Sequence, residues 1–187
     1  MQNTIDRFKA WLKAHCEFLL EDLEEGASEK DFKHLENIIG ASLPQDFKDI
    51  YRLHNGQISG DAGLLDSQEW LSLDAIEEEW SIWKDQYEEG AFKGKKAESD
   101  PEVKPDWWNP RWIPFTYDGQ GNHYCIDLDP TSHGTRGQVI TLWNEGEERM
   151  VLANSFSDWW EEYVDELEAG EYVYSPQYEA IVHKEDL

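Results

Sequence analysis

Apolar positions recur at three- and four-residue steps from the start of the chain: Ile5, Phe8, Leu12, Cys16, Leu19 and Leu23. That stripe predicts an amphipathic helix over 4–25, with Thr4 at its start and Gly26 just past its end. Ser28 opens a second helix. Glu29 and Asp31 suit its electropositive first turn, Phe32, Leu35 and Ile39 form its inner stripe, and Gly40 stops it. Leu43-Pro44 opens a third, short helix, since proline is tolerated in a first turn. Phe47, Ile50 and Tyr51 face inward, and Asn55-Gly56 closes it with residues that accept positive φ. Residues 57–73 read as loops with one short strand. Asp74 with Glu77 resembles a capping box, and Ile76, Trp80, Trp83 and Tyr87 follow at helical spacing. Residues 90–106 are polar and rich in Gly and Pro, which predicts a long, mobile loop.

The period then changes. Residues 111–117, 122–128, 138–143 and 148–153 read as four strands separated by turn signals, the third and fourth forming a hairpin. Ser155 or Ser157 caps a last helix carrying Phe156, Trp159, Trp160, Tyr163, Val164 and Leu167, closed by Gly170. A Tyr-Val-Tyr piece in the tail is strand-like. Helices first, a strand run next and a closing helix predict an α+β fold: an antiparallel β-meander of about four strands packed with N-terminal helices and a closing C-terminal helix. The expected division is a helical extension over 1–27, a domain over 28–172 and a tail over 173–187.

Charge changes the picture most. Of 187 residues, 41 are Asp or Glu and 16 Lys or Arg, a net charge of −25. A small domain needs a charge of only about 2–8 for solubility. A larger value costs stability through self-repulsion and serves long-range attraction of a basic partner. Nucleic acid and insertion into a membrane are disfavoured, and the absence of an apolar run near 18 residues excludes a predicted transmembrane span. The 10 Trp, 8 Tyr and 7 Phe oppose disorder. Cys16 and Cys125 make no disulfide framework and no Cys-x-x-Cys pair, and the charged N-terminus has no signal-peptide h-region, so a cytoplasmic location with free thiols is expected.

The candidate chemistry is thin. Asp127-Leu128-Asp129-Pro130-Thr131 matches D-x-D-x-T of aspartyl-phosphate enzymes, but the hairpin and helix that follow are the wrong scaffold, and a turn is the better reading. Asp118, Gln120, Asn122 and Asp129 fall at calcium-loop positions, yet His123 stands where that loop needs Gly. His123 and Cys125 share a strand face with no further ligands nearby, so a buried or edge pair outranks zinc. No P-loop, G-x-G-x-x-G or G-x-S-x-G is present. No catalytic residue, cofactor or metal is expected. Two acidic helix faces remain, Glu77, Glu78 and Glu79 on the tryptophan-striped helix and Asp158, Glu161, Glu162 and Asp165 on the last. Each is a solvated face or a docking surface. Trp107 and Trp108, just after the long loop, are core residues or contact anchors.

These residues also fall in an ordered set of motifs. Leu43-Pro44-Gln45-Asp46-Phe47-Lys48, ending in His54-Asn55-Gly56, resembles the L-P-x-D-(F/Y)-K … x-N-G segment of the SUKH superfamily. Trp112-Ile113-Pro114-Phe115 before Asp118-Gly119-Gln120-Gly121-Asn122 is similar to its W-I-P-x … D-G-x-G-(D/N) stretch, and Gly137-Gln138-Val139-Ile140 continues it. Ser155-Phe156 with Trp159 resembles its closing helix, with Trp160 in place of the usual Leu. The yeast members regulate cell-wall assembly, and many bacterial members are immunity proteins against polymorphic toxins. The resemblance implies an α+β fold, no catalysis and protein binding. It makes Asn55, Gly56, Asp118, Gly119, Gly121 and Gly137 structural turn residues. The main expectation is a bacterial immunity protein that neutralises a basic toxin, such as a nuclease, encoded nearby; the alternative is a regulatory adaptor in cell-wall assembly or signalling.

Overall fold

The computed structural model describes residues 1–58, 60 and 62–187. Positions 59 and 61, within the segment read as loops over 57–73, lie outside the described residues. Helix α1 (Gln2–His15) stops at Cys16, whose backbone leaves helical geometry at φ −156°, and the chain continues as a 3-10 turn over Glu17–Asp22. The single helix expected over 4–25 is therefore broken in two. The stripe survives the break: Ile5, Phe8, Leu12, Cys16, Leu19 and Leu23 are all buried. A 3-10 turn repeats every three residues, so it keeps Cys16 and Leu19 on the inner side without a continuous α-helix.

Helix α2 (Glu29–Ile39) carries the reciprocal capping box of Ser28 and Asp31 and ends at Gly40 in the left-handed region. Helix α3 (Gln45–Tyr51) follows Pro44. Strand β1 (Glu69–Trp70) is the short strand expected in the loop region, and helix α4 (Leu73–Glu88) follows it. The α4 cap is Ser72, whose hydroxyl accepts from the Ala75 N–H; Asp74 already lies in the first turn. Gly56 is fixed by close approach as well as by φ +79°, since a Cβ there would lie 2.6 Å from the Leu71 backbone.

The expected meander is present as a four-stranded antiparallel sheet in the order β3-β5-β6-β8, built from β3 (Trp112–Pro114), β5 (His123–Asp127), β6 (Gln138–Leu142) and β8 (Val151–Ala153). Two predicted strands are interrupted. After Pro114 and Phe115 the chain leaves β3 and forms β4 (Thr116–Tyr117), which pairs with β1. At Met150 the fourth breaks into β7 (Glu148–Arg149) and β8. β7 pairs in parallel with β2 (Glu98–Ser99), inside the segment expected as a long, mobile loop. That segment keeps an irregular course but is stitched down by Glu98 N–H to Glu147 O and Asp100 N–H to Arg149 O, and it buries Val103.

Helix α5 (Phe156–Ala169) is capped by Ser155, while the Ser157 N–H is taken by Asp46 of α3. The tail forms a hairpin, β9 (Tyr172–Ser175) with β10 (Ala180–His183). One hydrophobic cluster takes in α1, the sheet, α5 and Ile181, so the segments 1–27 and 173–187 both contribute to the core. No helix among the described residues is long and apolar enough to cross a membrane.

The motifs set aside in the sequence sit in structural roles. Asp127 is fully buried and accepts from Asp129 N–H and Gln138 Nε2, while Asp129 pairs with Lys104. The Asp118 carboxylate accepts from Gln120 N–H and Asn122 N–H, which closes the turn. Among the described residues, no His, Cys, Asp and Glu side chains cluster so as to hold a metal ion. Burial pushes the Cys16 thiol up to about 11 and that of Cys125 well above its usual range.

His123 is fully buried. Its Nδ1–H donates to Thr116 O at 2.7 Å and its Nε2 accepts from Trp83 Nε1–H at 3.2 Å, which fixes the neutral ring. Burial pulls its pKa from 6.5 down to about 4. As pH falls from 6.5 toward 4 the unfolded chain takes up this proton before the native one does, so the stability that His123 contributes above that window drains away within it. The full loss is on the order of 3 kcal/mol. Burial raises the Asp127 pKa from 3.8 to about 6, which stabilises the fold as pH falls through that range and opposes the histidine effect. The variant-minus-wild-type difference isolates the histidine. In urea titrations stepped from neutral to acid pH, His123→Gln is expected to be less stable at neutrality, with the deficit shrinking on acidification. A constant deficit would refute this assignment.

Candidate functional site

Helix α5 buries Phe156, Trp159, Trp160, Tyr163, Val164 and Leu167 on one side. The other side places Asp158, Glu161, Glu162 and Asp165, with Glu166 and Ala169, along one shallow groove of about 460 Å³. The spacing dictates this, because residues three and four apart share a helix face. Like charges at that spacing, such as Glu162 with Asp158 and Glu166, are mutually destabilising. Carboxylates in the last turn also oppose the helix dipole, and no basic residue of α5 offsets them there. Arg7 of α1 compensates one edge. Its guanidinium reaches Asp165 Oδ1 at 2.6 Å and grips both oxygens of Glu168. Among the described residues, Asp158, Glu161, Glu162 and Glu166 form no ion pair.

Beside the uncompensated edge is a cavity of about 200 Å³. Glu162 and Glu166 form its rim and Trp159 and Tyr163 of α5 its wall; Tyr124 comes from β5 and Tyr172 from β9. Asp66 is delivered by the tight turn Leu65–Gln68, in which both ends exchange backbone hydrogen bonds at 3.0 Å and the central residues Asp66 and Ser67 have φ of 51° and 65°. Asp is one of the few side chains that tolerate this region. The Tyr124 hydroxyl donates to Asp66 Oδ2 at 2.5 Å, and the Tyr163 hydroxyl, held on Leu64 O, accepts from the Asp66 N–H. Burial raises the Asp66 and Glu166 pKa values, the latter further through Glu162.

Of the residues singled out in the sequence, only the α5 group is gathered. Glu77, Glu78 and Glu79 are consecutive, so successive 100° rotations point them apart. Glu77 pairs with His34 of α2 at 2.9 Å, Glu78 is exposed, and Glu79 turns inward to within 3.7 Å of His123 Nε2. They form no common docking face. Trp108 is buried among Trp80, Trp83 and Tyr87 and is no contact anchor, because an indole in the core cannot meet a partner. The ring of half-buried Trp107 is flanked by Lys95 Nζ at 4.7 Å and the Arg149 guanidinium at 5.4 Å. The turn residues occupy turns: Asn55 bridges Glu24 and the Leu73 N–H, while Gly119, Gly121 and Gly137 all have positive φ. Nothing in the sequence marks Asp66, Tyr124 and Tyr172 as residues of one site. They are 58 and 48 residues apart, and no local period links them.

The comparisons agree with the fold. Residues 26–162 match the family described as SMI1 / KNR4 family (SUKH-1). The chain is 27% identical over 208 residues to KNR4/SMI1 homolog 2 of Debaryomyces hansenii, covering 89% of this chain and 35% of that protein. It is 29% identical over 181 residues to the cell wall biosynthesis/cell cycle regulator smi1 of Schizosaccharomyces pombe, covering 89% and 36%. It is 23% identical over 196 residues to the cell wall assembly regulator SMI1 of Saccharomyces cerevisiae, covering 86% and 39%. The chain thus spans about a third of the length of these relatives, and the latter two are named as regulators, not as toxin inhibitors. With the match extending over most of its length and the ordered motifs in their expected places, the chain belongs to the SMI1 / KNR4 family (SUKH-1).

Proposed function

We propose that the chain is a non-catalytic protein-binding module that serves as a regulatory adaptor for basic partner proteins, as in cell-wall assembly or signalling. The observation that carries this reading is the extensive similarity to proteins named as wall-assembly and cell-cycle regulators. It favours the adaptor over the toxin-neutralising role, to which no relative named above points. The α5 face supports the sign of the partner's charge. It collects acids against the helix dipole and against one another, a local choice that stability opposes. A cationic surface laid on it gains long-range attraction and relieves that repulsion.

The test is affinity isolation of the tagged chain from its own host after mild cross-linking. An adaptor is expected to yield several substoichiometric basic proteins. Their recovery should drop steeply as ionic strength rises from about 0.05 M to about 0.5 M, as the screening length contracts to a few ångströms. A single stoichiometric, salt-resistant complex with a toxin would overturn the adaptor reading in favour of immunity.

A further inference from the structure

We infer that the cavity between α5, the 65–68 turn and β9 receives an arginine side chain of the basic partner. The inference rests on the proposed binding of basic proteins and adds to it the place and the chemistry of recognition. The cavity combines two features that act on the same ligand. Its rim is anionic: no Lys, Arg or His among the described residues forms an ion pair with Asp66, Glu162 or Glu166, whereas Asp165 and Glu168 on the far edge of the same helix are already held by Arg7. Its wall is aromatic. Trp159 stacks on Tyr163 at 5.4 Å and 10°, with Tyr124 edge-on to Trp159 at 6.0 Å and Tyr172 edge-on to Tyr163 at 5.0 Å. A cation over such rings is attracted by their quadrupoles, more strongly once it leaves water.

Size and shape narrow the ligand. About 200 Å³ is small beside the roughly 300–1,000 Å³ of sites for whole small molecules, so one side chain fits better than a free metabolite. The Tyr124 hydroxyl already donates to Asp66, which leaves the outer oxygens of Glu162 and Glu166 to meet the incoming charge. A guanidinium is planar, weakly hydrated and able to stack on a ring while donating sideways to carboxylates. An ammonium is a compact, strongly hydrated point that must shed more water to enter. Nothing covalent occurs; the partner's arginine supplies the counter-charge that this edge of α5 lacks.

The experiment is a heteronuclear NMR and calorimetric titration of the purified chain with two acetylated, amidated peptides, one alternating glycine and arginine and the other glycine and lysine. The arginine peptide is expected to shift the indole resonance of Trp159 and the backbone signals of 65–68 and 172–174, and to bind more tightly than the lysine peptide. The double variant Glu162→Gln/Glu166→Gln and the single variant Tyr172→Leu are each expected to weaken it about tenfold. Glu77→Gln/Glu78→Gln removes the same charge on α4 and should weaken it no more than about twofold. Equal weakening by both double variants, or equal affinity for the lysine peptide, would overturn the arginine pocket. Tight binding with shifts confined to another face would overturn the pocket and leave the adaptor reading standing. Absence of binding by either peptide would count against both.

Discussion

Trp160→Ala is expected to lower the folding free energy by about 4 kcal/mol, the cost of removing a large aromatic from a close-packed core. Trp160 is fully buried at the centre of an aromatic array. Its ring meets Trp70 at 4.8 Å, Phe8 at 5.3 Å and Trp159 at 5.8 Å, all edge-to-face, and so joins α1, β1 and α5 through one side chain. Alanine would lose the transfer free energy of the indole and leave a void bounded by rings that cannot collapse without abandoning their own edge-to-face partners. Among the described residues the indole N–H of Trp160 has no hydrogen-bond partner, a penalty the native residue already bears. Both substitutions remove that penalty, but leucine keeps part of the volume, so its loss should be smaller than that of alanine. Guanidinium denaturation of the three proteins gives the order wild type, leucine, alanine. A leucine variant as damaged as the alanine one would show that the volume left empty does not set the cost.

The same residue shows how far the sequence could be read. Its burial follows from helical spacing with Phe156, Tyr163 and Val164, because an apolar stripe on an amphipathic helix has one place to go. Turn residues were legible for a similar local reason: Asp118, Gly119 and Gly121 form their turn largely through bonds to near neighbours. Breaks in elements were not. The interruption at Cys16 preserves the inner stripe and so leaves no trace in the periodicity. The strand in 98–99 is created by a distant partner at 148–149 and has no β-pattern of its own. The candidate site divides along the same line. The acidic α5 face is a sequential pattern and was visible. The pocket beside it joins a loop aspartate, a mid-strand tyrosine and a tail tyrosine, whose only relation is tertiary. The three acids on α4 do not share one face because adjacency in sequence is divergence on a helix, and the sequence leaves Trp108 open between core and anchor because a tryptophan beside a loop carries no mark of which way it turns.

Arg149→Met is expected to lower stability by about 3 kcal/mol and to release the segment that holds β2. Arg149 is fully buried with no carboxylate partner among the described residues, and burial pulls its pKa down to about 10. Backbone carbonyls take the place of an acid. Nη1 donates to Gly146 O at 2.9 Å and Glu148 O at 2.7 Å, and Nη2 donates to Trp107 O at 2.8 Å. One guanidinium therefore gathers residues 146–149 and the chain just after the 90–106 segment, and its face covers the Trp107 ring. Methionine restores much of the volume but none of the donors, and each stranded carbonyl costs about 1–3 kcal/mol unless water reaches it. Desolvation of the native charge works the other way, since buried ions can be replaced by apolar residues at little cost when nothing polar is left unpaired. Here three acceptors are left, which decides the sign. Arg149→Lys keeps the charge but offers a point in place of a fork, and should recover only part of the loss. Trypsin supplies an independent readout, because Lys93, Lys95 and Lys96 are exposed on the segment that Arg149 anchors. Cleavage there should accelerate in the methionine variant under conditions that leave the rest of the chain intact. An unchanged denaturation midpoint together with unchanged cleavage would show that β2 is held by its own ladder with β7, with the guanidinium merely resident between them.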